Sequence, residues 1–89
     1  MIILDDCYNA NPISMKASID VLNMAIGRRV AVLGNMGELG DTAEVLHAEV
    51  GTYAAQQNVD LVCGIGDLTH ALVEEASRGT HTQALWFAD

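Results

Sequence analysis

Asp5 and Asp6 follow directly on an apolar run, Ile2, Ile3 and Leu4, and lead into Tyr8, Asn9, Asn11 and Pro12. Adjacent carboxylates repel each other and are costly to desolvate unless something binds them. A carboxylate in such a place can accept hydrogen bonds from both hydroxyls of a ribose. Asparagine side chains can pair with the edges of a base or a sugar. Asp6, Asn9 and Asn11 are therefore candidate binding residues, with Asp5 as the other acid of the pair. Asn11 also suits an N-cap and Pro12 a first helical position, so Asn11 has a structural role as well.

The second candidate is Gly34-Asn35-Met36-Gly37-Glu38-Leu39-Gly40. Its glycines are spaced GxxGxxG, which is not the dinucleotide-binding G-x-G-x-x-G. No acid ends the following strand to hold a ribose, as that fold would require. The segment reads as a connection, except for Glu38, which could reach a substrate or a metal-bound water. His47 is a single histidine inside a helix, a setting that points to a packed or surface residue before a catalyst. His70 and His81 read as solvated positions, and no His and acid pair has a metal-ligand spacing. Gly64-Ile65-Gly66-Asp67 could present a helix N-terminus to an anion, but it reads first as a tight turn capped by Asp67. Cys63 lies in an apolar run and is expected in the core. Cys7 sits beside two acids, which disfavours its thiolate.

The elements that carry these residues alternate. Ile2–Leu4 ends a strand. Met15, Ile19, Leu22 and Ile26 recur at helical spacing and Gly27 stops that helix. Arg29–Leu33 is a second strand. Asp41 with Glu44 resembles a capping box, and Leu46, Val50, Tyr53 and Ala54 form the apolar face of a helix running to about Gln57. Val59–Cys63 is a third strand. Leu68, Leu72 and Ala76 mark a third helix, which ends at Gly79. Gln83–Phe87 is a fourth strand. Such a β-α-β-α-β-α-β order with continuous apolar strands predicts a mainly parallel sheet, right-handed crossovers and helices on both faces, a three-layer α/β sandwich. In such a sheet the acids and the glycine loop meet at the carboxyl edge, where α/β folds bind ligands.

The 89 residues suffice for one small domain, and 51% hydrophobic content is enough for a core. Four basic residues, Lys16, Arg28, Arg29 and Arg78, stand against 12 acids, for a net charge of -8. That balance argues against nucleic-acid binding. It also implies that most of the charge of any bound polyphosphate is met elsewhere. No apolar run approaches the roughly 20 residues of a membrane span. The acids close to the N-terminus do not suit a signal peptide, so a cytoplasmic location is expected.

The blocks Asp5-Asp6-x-Tyr8-Asn9-Ala10-Asn11-Pro12-x-Ser14-Met15, Arg29-Val-Ala-Val-Leu-Gly-Asn-Met-Gly-Glu-Leu-Gly40 and Leu46-His47-x-Glu49-Val50-Gly51 together resemble the C-terminal domain of the Mur ligases. The resemblance runs from Ile3 to about Asp67, and more loosely to Ala88. It implies a Rossmann-like domain of a cytoplasmic enzyme of peptidoglycan synthesis, with residues 1–89 a truncated part of that domain. The Tyr8–Pro12 block points within the family to ATP- and Mg2+-dependent addition of D-Ala-D-Ala to UDP-N-acetylmuramoyl-tripeptide through an acyl phosphate. This part would close over ATP and help to place the dipeptide. The phosphate loop, the magnesium ligands and the UDP-sugar site would lie in other domains, so neither ATP nor Mg2+ is expected to be held by this stretch alone. Carried over, Asp6 is the acid that binds the ATP ribose, with Asn9 and Asn11 beside it. Glu38 and His47 match recurring family positions without an assigned role. Asn35 departs from the family, which usually has Asp there. The alternative is a stand-alone receiver-like or nucleotide-binding regulatory module. A receiver needs an Asp at the end of the third strand and a later Lys, but that strand ends Cys63-Gly64-Ile65-Gly66 and no Lys follows Lys16. A truncated sheet would also leave an apolar face through which copies could associate.

Overall fold

Pro12 starts a helix because its fixed φ suits the first turn and its missing N–H leaves nothing there unpaired. In the computed structural model, which describes residues 2–5, 12–24, 27–37 and 40–88, that helix is α1 (Pro12–Asn23). It follows β1 (Ile2–Asp5). The chain continues through β2 (Val30–Gly34), α2 (Ala43–Gln56), β3 (Leu61–Ile65), α3 (His70–Ala76) and β4 (Gln83–Phe87), with short 3-10 turns at Gly40–Thr42 and Asp67–Thr69. Gly27, past the end of α1, has φ 94°, a conformation that glycine adopts without strain. Asn58 takes φ 56° just beyond α2, where a left-handed residue commonly ends a helix. Thr42, not Asp41, stands at the N-cap of α2. Thr42 makes no side-chain cap hydrogen bond, so the expected Asp41 capping box does not form; the chain enters the helix through a 3-10 turn instead.

The four strands are parallel and lie in the order β1-β2-β3-β4. Val32 pairs with Leu4 on one side and with Cys63 on the other, and Cys63 pairs with Leu85. Right-handed crossovers between strands laid down in sequence put every helix on the same face. The burial agrees. Ala31, Leu33, Val62 and Gly64 are buried, while their neighbours Val30, Val32, Leu61 and Cys63 are half-exposed. The α/β class and the parallel sheet stand. The expected third layer is absent among the described elements, because helices reach both faces only when the strand order reverses.

The core lies between this sheet and the helices. Met15, Ile19 and Leu22 of α1 enter it at the predicted spacing, with Val50 and Ala54 of α2 and Leu72 and Ala76 of α3. Ile26 lies outside the described residues. Leu68 is 38% exposed, since it sits in the 3-10 turn before α3 and off that helix's apolar face. At Gly51 α2 approaches α3 closely: a Cβ there would lie 2.0 Å from the Leu72 carbonyl oxygen. The opposite sheet face carries Val30, Val32, Leu61, Cys63, Ile65, Leu85 and Phe87, with Leu85 50% and Phe87 47% exposed. Cys63 is on this open face and not in the core as expected. Partial burial still pushes its thiol upward.

The amino edge of the sheet is tied by Asp60. Its Oδ2 accepts the Arg29 N–H at 2.7 Å and its Oδ1 lies 2.6 Å from His81 Nε2. His81 is exposed, as expected of a solvated position, and is paired as well. The backbone hydrogen bond first, and His81 second, hold the Asp60 carboxyl below its ordinary value of 3.8. A depressed folded-state pKa contributes stability above the unfolded value and loses it as pH falls through the folded one. Asp60→Asn should therefore melt lower than wild type at pH 7, and the gap should close as the pH drops below about 4. Thermal melts across that range check this. A gap that stays constant to pH 2 would mean that the carboxylate contributes nothing.

Candidate functional site

The four strands end together at the carboxyl edge of the sheet. β1 ends there with Asp5 opposite Leu33, and Gly34, Ile65 and Phe87 end the other strands in register. Asp6, Asn9, Asn11 and Glu38 lie outside the described residues. Asp5 is described as the last residue of β1, which brings that strand to the expected edge.

Behind the edge, the loop after β2 is held from two sides. Asn35 Nδ2 donates to Asp67 Oδ1 at 3.1 Å, and the Leu68 N–H donates to Asn35 Oδ1 at 3.0 Å. A carboxylate at position 35 would lose the donor and face Asp67 with like charge. Here, then, the amide has its own partner. Gly66 lies against it: φ is 109° and a Cβ would meet Asn35 Oδ1 at 2.5 Å. On the other side Met36 is fully buried, and its N–H donates to His47 Nε2 at 2.9 Å. His47 is also fully buried and its Nδ1 is 2.6 Å from the Ala43 carbonyl. Sequence reading missed this role. Hydropathy patterns do not place a histidine in a core, and its partner is a backbone amide.

The turn after β3 is likewise structural. The Gly66 carbonyl accepts from Thr69 N–H at 3.1 Å, Thr69 Oγ1 at 2.7 Å and Trp86 Nε1 at 2.8 Å. Its oxygen is fully used, and the turn closes on itself before α3. Gly64 must be small, since a Cβ would come within 2.5 Å of Val73 Cγ2. His70 stacks on Trp86 with ring centroids 3.8 Å apart and stays exposed at its outer face.

Basic side chains are engaged elsewhere. Lys16 lies 3.9 Å from Glu49 and over the Tyr53 ring, Arg29 bonds to Asn23 Oδ1 at 2.6 Å, and Arg78 meets Glu74 and Glu75. Arg28 lines an open cleft of about 420 Å³ with Gly27, Asp60, His81 and Gln83. That cleft is at the amino edge, opposite the end where parallel α/β sheets bind ligands, so we place the candidate site at the carboxyl edge. Among the described residues no group of three or more His, Cys, Asp or Glu converges to hold a metal ion, and no helix is long and apolar enough to cross a membrane.

Comparison with known proteins agrees with the fold. The model of the Mur ligase family, glutamate ligase domain, matches residues 1–89. The chain is 43% identical over 81 residues to the UDP-N-acetylmuramoyl-tripeptide–D-alanyl-D-alanine ligase of Haemophilus influenzae, covering 91% of this chain and 18% of the relative. The same ligase of Escherichia coli is 41% identical over 80 residues, with 90% and 18% covered. A crystal structure of MurF from Acinetobacter baumannii superposes with a TM-score of 0.78 at 36% identity, over 96% of this chain and 19% of that one. The chain thus spans about 18% of the length of the curated relatives it matches.

Proposed function

We propose, for a chain that belongs to the Mur ligase family and matches its glutamate ligase domain throughout, that it works within an ATP-dependent ligase that adds D-Ala-D-Ala to UDP-N-acetylmuramoyl-tripeptide. The observation that carries this reading is the identity of 43% over nine-tenths of the chain to a ligase of that name. In this reading the tripeptide carboxylate is activated as an acyl phosphate and the dipeptide amine displaces the phosphate, in the cytoplasm and in the service of cell-wall synthesis.

The part assigned to this chain is binding and placement. Asp6 accepts hydrogen bonds from the ribose of ATP, with Asn9 and Asn11 beside it and Asp5 and Glu38 at the same edge. A charge of -8 suits the sugar end of the nucleotide and not its phosphates. Lys16, Arg29 and Arg78 are committed to other partners, which supports a division in which another part of the enzyme meets the phosphate charge. The described residues offer no donor set that fits magnesium, and this chain is assigned no role toward the ion. The receiver-like alternative finds no support, since β3 ends in Gly64 and Ile65 with no acid to accept a phosphoryl group.

The test is phosphate release by the full-length protein. It should require ATP, the UDP-linked tripeptide and D-Ala-D-Ala together. Release that is indifferent to D-Ala-D-Ala would overturn the assignment. The 89-residue chain alone should release none, and titration calorimetry should give ATP a Kd of about 1 mM or weaker, no more than roughly 4 kcal/mol of binding. A micromolar constant for the isolated chain would contradict the division of labour.

A further inference from the structure

We infer that His47 is a positioning residue, fixing the segment Gly34–Gly37 at the carboxyl edge through a single hydrogen bond that only one of its tautomers can make. A backbone N–H can only donate, so the bond from the Met36 amide requires a bare Nε2. The ring hydrogen then sits on Nδ1 and is donated to the Ala43 carbonyl, one turn earlier in the same helix. Both nitrogens are satisfied, which is what allows a fully buried imidazole.

Packing alone does not explain the residue. A leucine would fill a comparable space between α2 and the sheet without polar groups to satisfy. What histidine adds is an acceptor reaching out of α2 toward the loop. The loop needs it because Met36 is buried and stands two residues past the end of β2, beyond the paired register of that strand. An unpaired buried amide is costly. With Asn35 tied to Asp67 and Leu68, consecutive residues are anchored in opposite directions, one to α2 and one to the turn after β3. Two such anchors fix both the path and the orientation of the chain as it leaves β2 for the ligand edge. The catalytic consequence rests on the ligase reading above; the anchoring does not.

Two measurements separate them. In the 89-residue chain, 15N spectra of His47 should show a protonated Nδ1 and a bare Nε2, and the Met36 amide should be protected from hydrogen exchange. His47→Gln places Oε1 near the position of Nε2 and should keep that protection. His47→Asn is too short to reach and should lose it, as should His47→Leu. In the full-length enzyme His47→Gln should stay within about threefold of wild-type kcat/KM. His47→Leu and His47→Asn should lose about tenfold or more, the scale of one buried hydrogen bond, even where their melting temperatures match that of His47→Gln. A protonated Nε2, or a Met36 amide equally protected in all variants, overturns the inference. So does wild-type turnover in His47→Leu. A wild-type enzyme that performs no ligation would refute the ligase reading instead, and the exchange result would still decide the anchoring.

Discussion

Gly51→Ala should lower the stability of this chain by about 2 kcal/mol or more, the largest effect expected of any single added methyl. The new Cβ would lie 2.0 Å from the Leu72 carbonyl oxygen, 2.8 Å from its carbonyl carbon and 3.0 Å from its Cα. These are backbone atoms of α3, so no rotamer change relieves the clash. The helices must separate, and Val50, Ala54, Leu72 and Ala76 lose contact as they do. Overpacking of this kind costs typically 1–3 kcal/mol and sometimes more. Alanine recovers at most about 1 kcal/mol through helix propensity. In a domain of this size each kcal/mol shifts Tm by about 4–8 °C, so a drop on the order of 10 °C is expected. Gly40→Ala is the control. Its φ is 60° but its surroundings are open, so it should cost only the roughly 1–2 kcal/mol of a left-handed alanine. If Gly51→Ala melts within a few degrees of wild type, the helices do not meet as described.

Asp6→Ala in the full-length enzyme should weaken the use of ATP by roughly 10- to 150-fold. Hydrogen bonds from ribose hydroxyls to an ionised carboxylate are worth about 1.5–3 kcal/mol, and each 1.4 kcal/mol is about tenfold. Asp5→Ala should cost less, because the ribose contact is assigned to Asp6 and not to the residue that ends β1. If closure over ATP limits turnover, the loss will appear in kcat as well as in KM. Steady-state kinetics on both variants, with folding checked by circular dichroism, decide the matter. Unchanged ATP kinetics in a folded Asp6→Ala enzyme would reject the assignment, and a more damaged Asp5→Ala enzyme would transfer it to the other acid.

Element order and type were legible in the sequence because each helix carries its apolar residues at helical spacing and each strand is short, apolar and bounded by turns. Met15, Ile19 and Leu22 show this most clearly. The layering was not legible. Val30-Ala31-Val32-Leu33 is apolar at every position, and such a run reads the same whether one face or both are covered. Cys63 was misplaced for that reason. The roles of Asn35 and His47 were hidden differently. Asn35 depends on Asp67, 32 residues away, and His47 on a backbone amide 11 residues away. No local pattern records either pairing. The acids at the end of β1 were legible as chemistry because nothing in the demands of a strand or a helix explains them.

The strand order β1-β2-β3-β4 also bears on how the chain is made. Among the described strands none is inserted between two others, so none of the four waits for a later one before it can pair. As synthesis proceeds from the N-terminus, each new strand and helix emerging from the ribosome can add to the growing edge. Such contacts join units adjacent in sequence, which keeps the loop-closure entropy of each addition small. Assembly of these four strands during translation can therefore follow the direction of synthesis, with β4 joining after β3.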